Sequence, residues 1–218
     1  MTGTPDPDHE PVVIGVAGAV ASGKSEVARA FARLGFVHND ADRHARDVLR
    51  SEDARREIVR WWGPDVLDER GEIDRARVAD IVFRSEPDRR RLESLIHPVV
   101  AERREQELEE ARRSGAPGLV IDAPLLFEVG LDRRCDAVVF VQADDAVRAR
   151  RVAESRGWSA DELRRRDAAQ MPSDEKRRRS DFLIDNSDAS ADELDRHARE
   201  IYTQTRSRDD RPSRRPAT

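Results

Sequence analysis

The chain has 218 residues, 39% of them charged, yet 40 basic and 45 acidic side chains leave a formal net charge of only −5. That near-balance argues against bulk affinity for nucleic acid or an anionic membrane surface, and a lone Cys135 precludes an internal disulfide framework and fits a reducing cytosol. No apolar stretch approaches the ~18 residues of a membrane span and Met1 to Glu10 is polar and acidic, so a soluble, cytoplasmic protein built on one domain is expected.

The first element is an apolar run over 12–17, Val-Val-Ile-Gly-Val-Ala, expected as a buried strand. It leads into residues 18–25, Gly-Ala-Val-Ala-Ser-Gly-Lys-Ser, which fit the G-x-x-x-x-G-K-[S/T] pattern of a phosphate-cradling loop. Residues 26–34 continue with helical apolar spacing to a stop at Gly35. A strand, a tight loop and a helix N-terminus aim backbone N–H groups at one point, where phosphate oxygens bind. In that arrangement Lys24 reaches the β- and γ-phosphates and the Ser25 hydroxyl ligates Mg²⁺. Lys24 stands out by composition too, since only it and Lys176 are lysines while the other 38 basic residues are arginine. A compact ammonium fits between phosphates where a planar guanidinium crowds the backbone.

Further short apolar runs at 36–39, 118–122, 137–142 and 182–185 read as strands, with amphipathic segments between them. The alternation predicts an α/β fold with three layers around a central parallel sheet. Asp40-Ala41-Asp42 follows the second strand, where ligands sit in open parallel sheets. The pair can supply a general base or hold a metal, or Asp42 can simply cap a helix over 44–49. Residues 45 to 113 hold no convincing core strand and read as a helical insertion, with a turn at Gly63-Pro64 and a polar helix from Pro98 to Arg113. Asp122 ends an apolar strand and can hold Mg²⁺ opposite Ser25, or can initiate the turn before Ala123-Pro124. Residues 148–179 carry 11 basic and 6 acidic side chains, which read either as a solvated helix face or as a mobile basic flap over an anionic substrate. Five histidines, at 9, 38, 44, 97 and 197, show no metal-ligand spacing, and Trp61, Trp62 and Trp158 are expected to be packing residues. The ends, 1–11 and 206–218, are charged and contain proline, and read as disordered tails.

Taken together these segments resemble the dephospho-CoA kinase family over about residues 12 to 200. The resemblance rests on the loop, on Asn39-Asp40-Ala41-Asp42-Arg43, on Ile96-His97-Pro98, on Pro124-Leu125-Leu126-Phe127-Glu128, on Ala169-Gln170-Met171 and on Ile184-Asp185-Asn186. It implies a P-loop kinase-type fold with a core at about 12–45, 115–147 and 180–205, a helical CoA-binding insertion at 46–114 and a lid at 148–179. It also implies ATP and magnesium as cofactors, dephospho-CoA as substrate, and a monomer or weak homo-oligomer. Asp42 then acts as general base, with Lys24 and the lid arginines Arg151 and Arg156 stabilising the transferring phosphoryl group. Gly18, Ala21, Ser22, Gly23, Lys24, Ser25 and Glu26 line the nucleotide phosphates, and Ser25 and Asp122 hold the metal. Another small-molecule P-loop kinase, of nucleoside, nucleotide or shikimate type, and a nucleotide-binding regulator without catalysis are the competing readings. Three departures from the family's usual pattern bear on the site. Ala19 and Ala21 stand where glycines are usual, so a position needing positive φ is strained. Glu26 replaces a threonine, and the second lid arginine, Arg156, comes one residue late after Arg151.

Overall fold

A computed structural model describes residues 10–209. In chain order the elements are β1 (Val12–Gly18), α1 (Lys24–Arg33), β2 (Val37–Asp40), α2 (Ala41–Arg50), α3 (Glu52–Trp62), α4 (Arg75–Arg84), α5 (Glu86–Ser114), β3 (Gly118–Asp122), β4 (Ala137–Gln142), α6 (Asp145–Arg156), α7 (Ala160–Ala168), α8 (Ser173–Arg179), β5 (Phe182–Asp185) and α9 (Ala191–Asp209), with short 3₁₀ turns at Pro64–Val66 and Leu131–Arg134. The five strands form one parallel sheet in the order β2-β3-β1-β4-β5. All five overlap the runs that read as strands; the central β1, β3 and β4 are buried on both faces and so read as continuous hydrophobic stretches, while the edge strands β2 and β5 are only partly buried. β1 lies in the middle, with later strands added to either side of it, and its carboxyl end is the topological switch point where such sheets bind ligands.

The chain divides into two compact units, one running to Asp40 and resuming at Glu107, the other Ala41–Gln106. In the first, α1 and α9 cover one face of the sheet, burying Val27, Ala28, Phe31, Leu194, Ala198 and Ile201 against Ile14, Val16, Val139 and Val141. Phe36 meets both Phe31 and Tyr202 edge to face there, with ring centroids 5.3 Å apart in each of the two pairs. The other face is covered by α8 and by the loop after β3; a Cβ at Gly15 would come 2.8 Å from Cys135 Sγ and 3.0 Å from Leu126. The second unit has its own core of Ile58, Val66, Ile73 and Val78, onto which Trp61 and Trp62 pack as expected, Trp62 Nε1 donating to Asp88 at 3.0 Å. Ser51 and Asp74 cap α3 and α4 through their side-chain oxygens.

Several boundaries differ from the sequence expectation. The helix expected from Pro98 begins at Glu86 and passes through Pro98, whose missing N–H costs one hydrogen bond out of the many in a 29-residue helix. α2 starts directly at Ala41, so Asp42 lies in its first turn and is not a cap before His44. α9 runs to Asp209, four residues into the segment expected as a tail, and the remainder of both expected tails, 1–9 and 210–218, lies outside the described residues. Among the described residues no helix is long and apolar enough to cross a membrane.

Candidate active site

The loop after β1 is shaped by two glycines. A Cβ at Gly18, where φ is 154°, would lie 2.3 Å from Val141 O, and one at Gly23, where φ is 91°, would lie 2.0 Å from Asn186 Nδ2. Gly23 also caps α1, which has no side-chain cap, so the positive end of its dipole and its first amides stay available to an anion. Between the glycines, Ala21 adopts φ 60° and is the only non-glycine residue with positive φ among those described. That conformation costs an L-residue roughly 1–2 kcal/mol, the strain the sequence anticipated at one of its two alanines. Ala19, by contrast, carries no such φ and is buried.

Every carbonyl from Gly18 to Ser22 faces a donor. Lys24 Nζ lies 3.1 Å from Gly18 O and 2.8 Å from Ala19 O. Arg148 Nε donates to Val20 O at 2.9 Å. Arg151 Nη1 lies 3.5 Å from Ala21 O and 3.3 Å from Ser22 O, while its Nη2 donates to Asn186 O at 2.9 Å. Asn186 Nδ2 donates to Ser22 O at 3.1 Å and to Glu26 Oε2 at 2.9 Å. Glu26 therefore turns toward the segment after β5 and toward Arg151, 3.8 Å away, which gives its carboxylate partners on that side.

Asp122 closes β3 on the same rung as Val16 of β1 and Asp40 of β2. Its side chain is buried, with His38 Nε2 3.9 Å from Oδ2. At the end of β5, the Ser187 hydroxyl, the Gln142 amide and the Ser187 N–H hold the Asp185 carboxyl below the usual carboxylate range. Thus the structure brings Gly18, Ala21, Ser22, Gly23, Lys24, Ser25, Glu26 and Arg151 together around one loop. Arg156 is elsewhere, stacked 4.7 Å over the Trp158 ring, with Arg166 4.0 Å from the same ring. Asp42 belongs to the second unit, two residues after the carboxyl end of β2. The sequence does not single out Arg148, Asp167 and Asn186 as site residues, since their loop partners are far away in the chain; the basic character of 148–179 points near the first two, and Ile184-Asp185-Asn186 enters only as part of the family resemblance.

A family model described as dephospho-CoA kinase matches residues 12–192. The chain belongs to the dephospho-CoA kinase family. Curated dephospho-CoA kinases from Geobacillus kaustophilus and Geobacter sulfurreducens are 44% and 42% identical, covering 80% and 87% of this chain and 88% and 96% of their own. A crystal structure from Thermus thermophilus is 33% identical with a TM-score of 0.76, covering 90% of this chain and 98% of that one. A dephospho-CoA kinase from Campylobacter jejuni shares the fold at a TM-score of 0.62 and 22% identity. Dephospho-CoA kinases are ATP-dependent phosphotransferases, which accounts for a phosphate loop at the switch point of a parallel sheet in this chain.

Proposed function

We propose that this protein transfers the γ-phosphoryl group of ATP to the 3′-hydroxyl of dephospho-CoA, giving coenzyme A and ADP. The family match over 12–192, together with the retained Gly-Lys-Ser of the loop, carries this reading. Lys24 bridges two loop carbonyls through contacts that a β,γ-phosphate can replace. Arg151 lies at the loop with one guanidinium edge on Ser22 and Asn186, and assists charge stabilisation on the equatorial oxygens. Arg156, on Trp158, reaches the phosphates only if the lid rearranges.

Ser25 and Asp122 offer a hydroxyl and a buried carboxylate, hard oxygen donors that suit Mg²⁺, an ion that fills its remaining positions with water and substrate phosphate. When bound, the ion supplies charge neutralisation at the β- and γ-oxygens. Asp42 takes the proton from the ribose 3′-hydroxyl as that oxygen forms its bond to the γ-phosphorus and the bond to the ADP oxygen breaks.

The test is steady-state coenzyme A formation by the parent protein and by Asp42→Asn, with adenosine and shikimate as alternative acceptors for the parent. A general base contributes about 10²–10⁴-fold, so kcat should fall by at least about 10² while ATP still binds. Unchanged turnover removes Asp42 from this role. Turnover with another acceptor keeps the kinase and discards the substrate, and ATP binding without turnover on any acceptor favours a regulator.

A further inference from the structure

The Val20 backbone is held at both its N–H and its carbonyl by side chains from the basic segment. Asp167 Oδ1 accepts the Val20 N–H at 3.1 Å, Arg148 Nε donates to Val20 O at 2.9 Å, and Arg148 Nη2 pairs with Asp167 Oδ2. Asp145 completes the guanidinium's partners at 3.0 Å. Arg148 is 8% exposed and the Asp167 side chain 28%, so the contact is largely withdrawn from solvent. Val20 itself packs with Val152 and Leu163, and Ala21, Ala149 and Trp158 close around them.

We propose that Arg148 and Asp167 are positioning residues for ATP, a two-sided clamp that keeps the phosphate loop in its binding shape. In a trans peptide the carbonyl of one residue and the N–H of the next point in opposite directions. Fixing Val20 O on Arg148 therefore aims the Ala21 N–H away from Arg148. Fixing Ala21 O and Ser22 O on Arg151 and Asn186 does the same for the N–H groups of Ser22 and Gly23. The donors thus set the directions of three successive amides before any phosphate arrives, the Ser22 N–H among them donating to Ala19 O at 3.3 Å. Ala21, the residue next to the clamp, sits in a left-handed conformation, which persists only where its surroundings over-determine it. Arg148 and Asp167 supply that determination from one side, which is why a methyl is tolerated in the loop. Neither touches a reacting atom; their effect is on how ready the loop is for the nucleotide.

The inference rests on residues 18–25 being the ATP site, and the experiment separates the two. Full-length protein carrying Arg148→Met, Asp167→Ala or Lys24→Met is compared with the parent by calorimetric ATP titration and by steady-state kinetics. Losing a charge-assisted hydrogen bond to the loop should raise Kd and KM for ATP about tenfold in the first two, with kcat at saturating ATP and KM for dephospho-CoA within about twofold. The exchanged pair R148D/D167R restores an ion pair but presents a cation to the Val20 N–H and a carboxylate to its carbonyl. It should recover thermal stability without recovering ATP affinity. Unchanged ATP affinity in Asp167→Ala, or full recovery of affinity in the exchanged pair, overturns the clamp. Unchanged ATP affinity in Lys24→Met overturns the ATP site itself. If Asp167→Ala fails to fold, the isosteric Asp167→Asn serves, because its amide N–H₂ must face either Arg148 or the Val20 N–H; an unaltered KM for ATP there is equally fatal.

Discussion

Replacing Lys176 is the sharpest probe of how the first unit is held together. Its side chain is 2% exposed, and its ammonium donates to Pro124 O at 3.3 Å and Gln170 Oε1 at 3.0 Å while pairing with Glu128 Oε1 at 3.0 Å. Glu128 Oε1 also accepts the Met171 N–H at 2.9 Å, so one cation joins the loop after β3, the α7–α8 connection and α8. Lys176→Met keeps the length of the side chain but strands a carboxylate and two acceptors. Removing one partner of a buried pair costs about 3–5 kcal/mol. Glu128 retains the Met171 N–H, and its side chain is 22% exposed, so a discounted loss of about 2–3 kcal/mol is expected. At this chain length that lowers Tm by roughly 5–10 °C. Lys176→Arg keeps the charge but forces a planar fork into a filled site, at about 1–3 kcal/mol. Adding Glu128→Gln to Lys176→Met should return at least half of the loss, since no unpaired charge then remains. Urea unfolding followed by circular dichroism measures all three. A loss below about 1 kcal/mol in Lys176→Met, or an arginine variant as stable as the parent, would refute the reasoning.

Two further outcomes concern the loop and its neighbour strand. Gly23→Ala places a methyl 2.0 Å from Asn186 Nδ2 at a φ of 91°, and overpacking plus the left-handed backbone should cost about 2–4 kcal/mol. Urea midpoints and ATP titration should both register it, and a neutral effect would mean that Asn186 swings aside freely. Asp185 has a carboxyl pKa held below its ordinary value, chiefly by the Ser187 hydroxyl. A depressed folded pKa contributes stability that is complete above the unfolded value near 3.9 and is lost as pH falls through the folded one. The stability gap between the parent and Asp185→Asn should therefore narrow on acidification from about pH 5.5 to pH 3, and a constant gap would contradict the assignment.

The sheet was legible because its central strands bury both faces and so leave continuous apolar runs, as 118–122 and 137–142 do. The phosphate loop was legible for a different reason: its glycines, lysine and serine lie within eight residues and carry the chemistry locally. The clamp was not, because Val20, Arg148 and Asp167 come from three separate elements, and no periodicity links positions 128 and 147 residues apart. Arg156 shows a different limit. The family resemblance implies a role for it beside Arg151 although its spacing is one residue long, and the end of α6 at Gly157 leaves its guanidinium over the Trp158 ring, where a cation–π contact is available. Pro98 misled for a simpler reason, since an interior proline weakens a long helix without ending it.

The scarcity of lysine has a practical corollary. Apart from the α-amino group, the only primary amines are Lys24 in the phosphate loop and Lys176 sealed in the interior. Acylating reagents, isocyanates and cellular acetyl donors thus meet a protein with one approachable ε-amine, and that amine lies in the phosphate loop. Amine-directed chemistry that would scatter over the surface of most enzymes finds here one ε-amine outside the interior besides the α-amino group, so an acyl group on Lys24 Nζ would mark the phosphate loop by mass.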